Sequence, residues 1–242
     1  MICPAWPDDT AVRWHAVANV AALRDSACRR ILDAAADAIQ NRGHFTIVLA
    51  GGNTPQGVYR MLRNADTDTD WSCWQVYFGD ERCVPTGDPE RNSRMAAEAW
   101  LDHVAIPANQ VHALPAERGA QAAAHAYAKT LRNVGDFDLV LLGLGEDGHT
   151  ASLFPNHDWG AGADTADALA VFDAPKPPPQ RVSLSARRLS RARAVLFIVT
   201  GEAKRDAVMR WRAGTDIPAC AIRPQAGVDV LVEAMLLPAA TG

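Results

Sequence analysis

Residues 143–152, GLGEDGHTAS, gather Glu146, Asp147, His149, Thr150 and Ser152 in one glycine-rich stretch. His149 is its only imidazole and stands two residues after Asp147, so the ring can accept a proton near neutral pH while the carboxylate orients it. Gly143, Gly145 and Gly148 let the backbone turn sharply around these groups. A lone histidine in such a loop is more often structural. The neighbouring carboxylate and the apolar run just before the loop make this one a candidate general base.

Other stretches carry complementary chemistry. At residues 50–55, AGGNTP, an apolar run gives way to Gly51, Gly52, Asn53 and Thr54, the order of a strand, a tight turn and a helix start. Such a turn can hold phosphate, because glycines let the backbone approach an anion and the amides of a helix N-terminus point at it. The spacing fits neither G-x-x-x-x-G-K-[ST] nor G-x-G-x-x-G, so no nucleotide is implied. The same residues also fit an ordinary connection with Thr54 as N-cap. Asp80, Glu81 and Arg82 follow another apolar run and, taken alone, read as an exposed ion cluster. Lys204 falls in the first turn of an expected helix, where a cation is disfavoured unless an anion binds.

The apolar pattern supplies a strand before each of these groups. Asp138-Leu139-Val140-Leu141-Leu142, closed by Gly143, suits a parallel strand covered on both faces. Further strands are expected over 12–17, 45–49, 75–78, 181–185, 194–199 and 228–232. Leu23, Ala27, Ile31, Leu32, Ala35 and Ile39 recur at helical spacing up to Gly43, and other helices are expected around Val58 to Leu62, over 93–100, over 117–132, and from a start at 200–204 to near Gly214. Residues 156–180, including PKPPP, read as a long loop of the functional or mobile kind. The result is an α/β fold in a single domain over 1–242, with a mostly parallel sheet and helices on both faces. Several strands then deliver polar groups at their carboxyl ends, where open α/β sheets bind ligands.

Composition narrows the function classes. The chain has 242 residues, 48% of them hydrophobic, which is ample for a core. Its net charge of −4 gives no basic footprint for nucleic acid. Arg187, Arg188, Arg191 and Arg193 form the densest basic cluster and read as a solvated face. No stretch approaches a membrane span, and residues 1–9 lack the pattern of a secretory leader. The five scattered cysteines show no C-x-x-C spacing, and no H-E-x-x-H pattern calls for a metal, so a cytoplasmic protein without disulfides or a metal is expected.

LAGGNTP, FGDERCV with RNS downstream, GLGEDGHTASLFP, PPPQRVSLS and TGEAKR, in this order over about 45–212, resemble the 6-phosphogluconolactonase family within the glucosamine-6-phosphate isomerase/deaminase group. The resemblance implies a Rossmann-like fold that hydrolyses 6-phospho-D-glucono-1,5-lactone without a cofactor. By position it makes His149 the general base, supported by Asp147, and Arg82 the group that holds substrate and stabilises developing charge. Gly51, Gly52, Asn53 and Thr54 match the phosphate-side loop, Arg181 and Lys204 the basic residues near the phosphate, and Asp80 and Asn92 join the binding set. The deaminase branch has D-E-Y and F-N-E-P where this chain has Asp80-Glu81-Arg82 and Ser152-Leu153-Phe154-Pro155, which favours the lactonase. Two rivals remain at this level: an isomerase/deaminase in which Asp80 moves a proton, and a non-catalytic sugar-phosphate-binding domain. The expected partner is a small-molecule sugar-phosphate lactone, with no nucleic acid or membrane and a monomer or weak homodimer as the assembly. Activity is expected to rise near the ordinary imidazole value of ~6.5.

Overall fold

The computed structural model describes residues 12–65 and 68–238; residues 1–9, read above for a leader, lie outside them. In chain order the strands are β1 Val12–Val17, β2 Phe45–Leu49, β3 Trp74–Phe78, β4 Asp80–Arg82, β5 Val111–His112, β6 Phe137–Leu142, β7 Ala168–Val171, β8 Arg181–Leu184, β9 Ala192–Val199 and β10 Val228–Glu233. The helices are α1 Val20–Arg42, α2 Asn53–Arg63, α3 Asn92–Ala99, α4 Ala120–Leu131, α5 Ala186–Ser190 and α6 Arg205–Arg212.

Among the described residues, seven strands form one sheet in the order β1-β10-β9-β6-β2-β3-β5, with every pairing parallel. The mostly parallel α/β class expected from the sequence is therefore the observed one. β2 and β6 are buried at every position, as continuous apolar runs in a covered parallel sheet require. α1 buries Leu23, Ala27, Ile31, Ala35 and Ala38, a stripe at helical spacing, and packs along β10, β2 and β6. Its C-terminus stops at Gly43, whose φ of 76° lets its N–H bond Ile39 O. β2 leads to β3 on one side and β6 continues toward β9 on the other, so the connections leaving these two neighbours diverge and open a crevice.

A second, antiparallel sheet, β4-β8-β7, lies beyond the ends of the first and shares its hydrophobic core through Val182 and Leu184. It changes three expectations. Residues 156–180 are not one long loop, because β7 lies inside them and pairs with β8 just beyond. Asp80 and Glu81 are not an exposed ion cluster but a strand, 6% and 0% exposed. Arg188 is not on a solvated face: it is fully buried, with its guanidinium 3.9 Å over the Phe137 ring and Nη2 donating to Gly135 O at 2.9 Å. Burial, reinforced by Arg191, pushes its pKa down to about 10. Sequence distance hid all three, since the burying partners come from other segments.

Glu81 joins the two layers. Its carboxylate accepts from the backbone N–H of Arg82, Asn92 and Ser93 at 2.9, 2.8 and 2.8 Å, and lies 3.3 Å from Nε of Arg91, itself 2% exposed. It thereby caps α3 from a different element, supplying the acceptor that the N-cap residue Arg91 does not. Glu81→Ala would leave Arg91 buried and α3 uncapped, with an expected loss of about 3–5 kcal/mol in urea unfolding. Glu81→Gln, which keeps one acceptor oxygen, should lose less. A loss for the alanine variant within ~0.5 kcal/mol of zero, the range of ordinary surface changes, would show that the cap is dispensable.

Candidate active site

The turns after β2 and β6, the strands β4 and β8, and the turn before α6 border a crevice of about 380 Å³. That size suits a small polar metabolite. Gly51 and Gly52, Asp80, Arg82, Asn92, His149, Arg181 and Lys204 all line it, so these eight expected residues converge. Asn53 and Thr54 lie one step back, in the first turn of α2, and Asp147 stands behind His149. Gly52, not Thr54, is the N-cap, with φ 107° and ψ 171° and no side chain capping the helix. Thr54 instead shares a 2.6 Å hydroxyl hydrogen bond with Thr200, tying the glycine turn to the end of β9.

Nδ1 of His149 lies 2.5 Å from Asp147 Oδ1, and the same oxygen accepts the His149 backbone N–H at 3.1 Å. An ionised carboxylate only accepts, so Nδ1 carries the proton of the neutral ring and Nε2 is the acceptor. Burial lowers the pKa of His149, opposed by the charge and hydrogen bond of Asp147. Burial raises that of Asp147, but the His149 backbone N–H, charge and ring hydrogen bond together hold it below the usual carboxylate value. The ring rests on Phe154, centroid to centroid 4.9 Å. On its other side Gly145 leaves it room, since a Cβ there would come within 1.9 Å of Nδ1. The loop is braced from the C-terminal elements, with Arg210 donating to Asp147 O at 3.3 Å and Ala219 N to Gly148 O at 3.3 Å.

Asp80 forms part of the crevice wall. Its Oδ1 accepts from Asn92 Nδ2 at 3.1 Å and its Oδ2 from Ser152 Oγ at 2.6 Å. Asn92 in turn leans on the glycine turn: a Cβ on Gly51 would fall 2.1 Å from its Oδ1. The turn after β2, β4, the start of α3 and the loop after β6 are thus locked together by one carboxylate and one amide.

The cations fall into two groups. Arg82 and Arg181 are cross-strand partners in β4 and β8. Like charges so placed repel unless something anionic lies between or beside them. Arg82 donates to Glu90 O at 2.6 Å, while its Nε is buried with no hydrogen-bond partner among the described residues. Arg181, 5% exposed, donates to the carbonyls of Lys176, Pro177 and Pro178. Lys204 ends the short turn before α6, next to Glu146. Lys176 also lines the crevice and was not singled out from the sequence. Its flanking prolines, which restrict the backbone, were the available signal.

Comparison with known proteins places relatives beside this geometry. The family described as "Glucosamine-6-phosphate isomerases/6-phosphogluconolactonase" matches residues 18–231. The 6-phosphogluconolactonase of Mycobacterium tuberculosis is 40% identical over 203 residues, 79% of this chain and 82% of that protein. The Streptomyces coelicolor 6-phosphogluconolactonase is 38% identical over 208 residues, 79% of each chain. Among solved structures, the 6-phosphogluconolactonase of Trypanosoma brucei superposes with a TM-score of 0.84 at 27% identity, covering 94% of this chain and 98% of that one.

The partly buried, carboxylate-backed ring has a measurable signature. Because its pKa is lowered, His149 stays neutral to a lower pH than a free imidazole, and its ring nitrogens should titrate below ~6.5 by NMR. Asp147→Asn removes the group that opposes this lowering, so the midpoint should fall further. A midpoint at or above ~6.5 in the parent protein would contradict the burial described here.

Proposed function

The chain belongs to the glucosamine-6-phosphate isomerase/6-phosphogluconolactonase family, and we propose that its crevice hydrolyses 6-phospho-D-glucono-1,5-lactone to 6-phospho-D-gluconate, the second step of the oxidative pentose phosphate pathway. The observation that carries the chemistry is the Asp147–His149 pair, 2.5 Å apart, at a crevice lined with cations.

A lactone is an activated ester. Its hydrolysis needs a deprotonated water at the carbonyl carbon and positive charge where the oxyanion develops. His149 Nε2 takes a proton from water as the oxygen adds to that carbon, and Asp147 holds the tautomer and supports the imidazolium. Arg82 stabilises the oxyanion. Collapse re-forms the carbonyl and breaks the ring C–O bond, and the departing ring oxygen takes the proton from His149 to become a hydroxyl of the open acid. The turn at Gly51 and Gly52, leading into Asn53 and Thr54, holds the phosphate together with Arg181 and Lys204. Asp80 and Asn92 keep those groups in register. Remote phosphate binding then positions the carbonyl.

The isomerase/deaminase reading is disfavoured by Asp80, the residue that would have to move the proton, because both its oxygens are engaged by Asn92 and Ser152. The setting proposed is the cytoplasm, in keeping with free thiols at Cys28, Cys73 and Cys83. No described helix is long and apolar enough to cross a membrane.

The deciding experiment follows opening of the phosphorylated lactone above its spontaneous rate. His149→Ala should reduce turnover by roughly 10²–10⁴ with product affinity largely retained. Equal losses in turnover and affinity would make His149 a structural residue. The pH–rate profile should rise at a value below ~6.5, because the lowered pKa of His149 keeps the base form available there; this replaces the ordinary imidazole value expected from sequence.

Lys204→Ala tests the phosphate assignment. It should raise KM for the phosphorylated lactone while hydrolysis of unphosphorylated glucono-1,5-lactone changes little. Parallel slowing of both substrates would move Lys204 to the carbonyl, and no effect on either would make it a solvated surface group.

A further inference from the structure

Glu146 stands between two lysines of the crevice. Its Oε1 lies 3.8 Å from Nζ of Lys204 and 4.0 Å from Nζ of Lys176. The lysines come from distant segments, one from the turn before α6 and the other from the proline-flanked bend leading into β8. Both line the crevice, and Glu146 is not part of that lining. The contacts are longer than the ~2.7–2.9 Å of a charge-assisted hydrogen bond, so the carboxylate balances the two ammonium groups without gripping either. Its side chain is 56% exposed, against 25% for Lys204, so it can leave toward water at little desolvation cost. Burial and the charge of Lys176 lower the pKa of Lys204, while Glu146 opposes them, so the three groups act on one another electrostatically.

We propose that Glu146 is an internal stand-in for the phosphate of the substrate: it neutralises Lys176 and Lys204 in the empty crevice and gives them up when a phosphate dianion binds. The inference rests on the phosphorylated-lactone reading and adds Lys176 as a phosphate contact and Glu146 as a selectivity-determining competitor. A neutral or singly charged ligand offers the lysines no more than Glu146 already does. A dianion offers more and displaces it. As the product departs, the carboxylate returns to the lysines, which limits how tightly the released sugar acid rebinds.

Calorimetric binding of inorganic phosphate, at fixed pH and ionic strength, tests this on the full chain. Glu146→Gln removes the competing charge while keeping the side-chain shape, and should tighten phosphate binding about three- to tenfold. Lys176→Ala should weaken it by a similar factor, and in the double variant the effect of Glu146→Gln should shrink because one of the released cations is gone. Unchanged or weaker phosphate binding in Glu146→Gln would overturn the proposal. So would additive effects in the double variant, or a Lys176→Ala variant that binds phosphate as the parent does. These are binding measurements, so they decide the role of Glu146 separately from turnover. Loss of the lactonase reading would show instead as a parent protein that binds phosphate yet leaves the phosphorylated lactone at its spontaneous rate.

Discussion

The site depends on a carboxylate that touches no cation directly among the described residues. Asp80 is buried, and its two oxygens are taken up by an amide from α3 and a hydroxyl from the loop after β6. A buried carboxylate without hydrogen-bond donors would be expensive, so these bonds hold their donors firmly in place. Ser152 therefore anchors the loop that carries His149, and Asn92 presses against the side-chain-free Gly51. One group sets the spacing between the proposed base and the proposed phosphate turn, although they are nearly a hundred residues apart in the chain.

Around that anchor the two sheets divide the work. The parallel sheet aims its carboxyl ends at one place, which gives position but little charge. The small antiparallel sheet brings charge by setting Arg82 opposite Arg181. Such an arrangement is tolerable because carbonyls absorb part of the guanidinium demand: Glu90 O for one, and the Lys176 to Pro178 bend for the other. What is left over is the charge that the proposed function directs at an anionic ligand, held in place before any ligand arrives.

Much of this was legible before any coordinates. The apolar runs at β2 and β6, broken only by Thr46 and Asp138, which bond one another, identify buried parallel strands, and the Asp147–His149 spacing identifies the pair because its hydrogen bond is local. What could not be read depended on partners remote in sequence. Arg188 looks like a surface cation until Phe137 and the carbonyls of 134–135 close over it. Glu81 looks like one member of an exposed triplet until α3 places two backbone N–H groups against it. β7 is only four residues, Ala168 to Val171, inside a polar, glycine- and proline-rich stretch, and its identity as a strand comes from β8. Lys176 becomes a crevice residue only through the bend that Arg181 fastens. Local chemistry shows in a sequence; long-range closure does not.

The strand order has a consequence for how the protein is made. Among the described residues β1 pairs with β10 alone, with Val12 opposite Val228, so the first described strand to leave a ribosome stays unpaired until β10 follows. The loop bearing His149 is in the same position, since Arg210 and Ala219 brace it from elements translated after it. Nascent chains that stop before α6 and β10 thus have an open sheet edge and an unbraced His149 loop at once. A polypeptide cut short before β10 therefore keeps an unpaired, association-prone edge beside a loop whose bracing is missing.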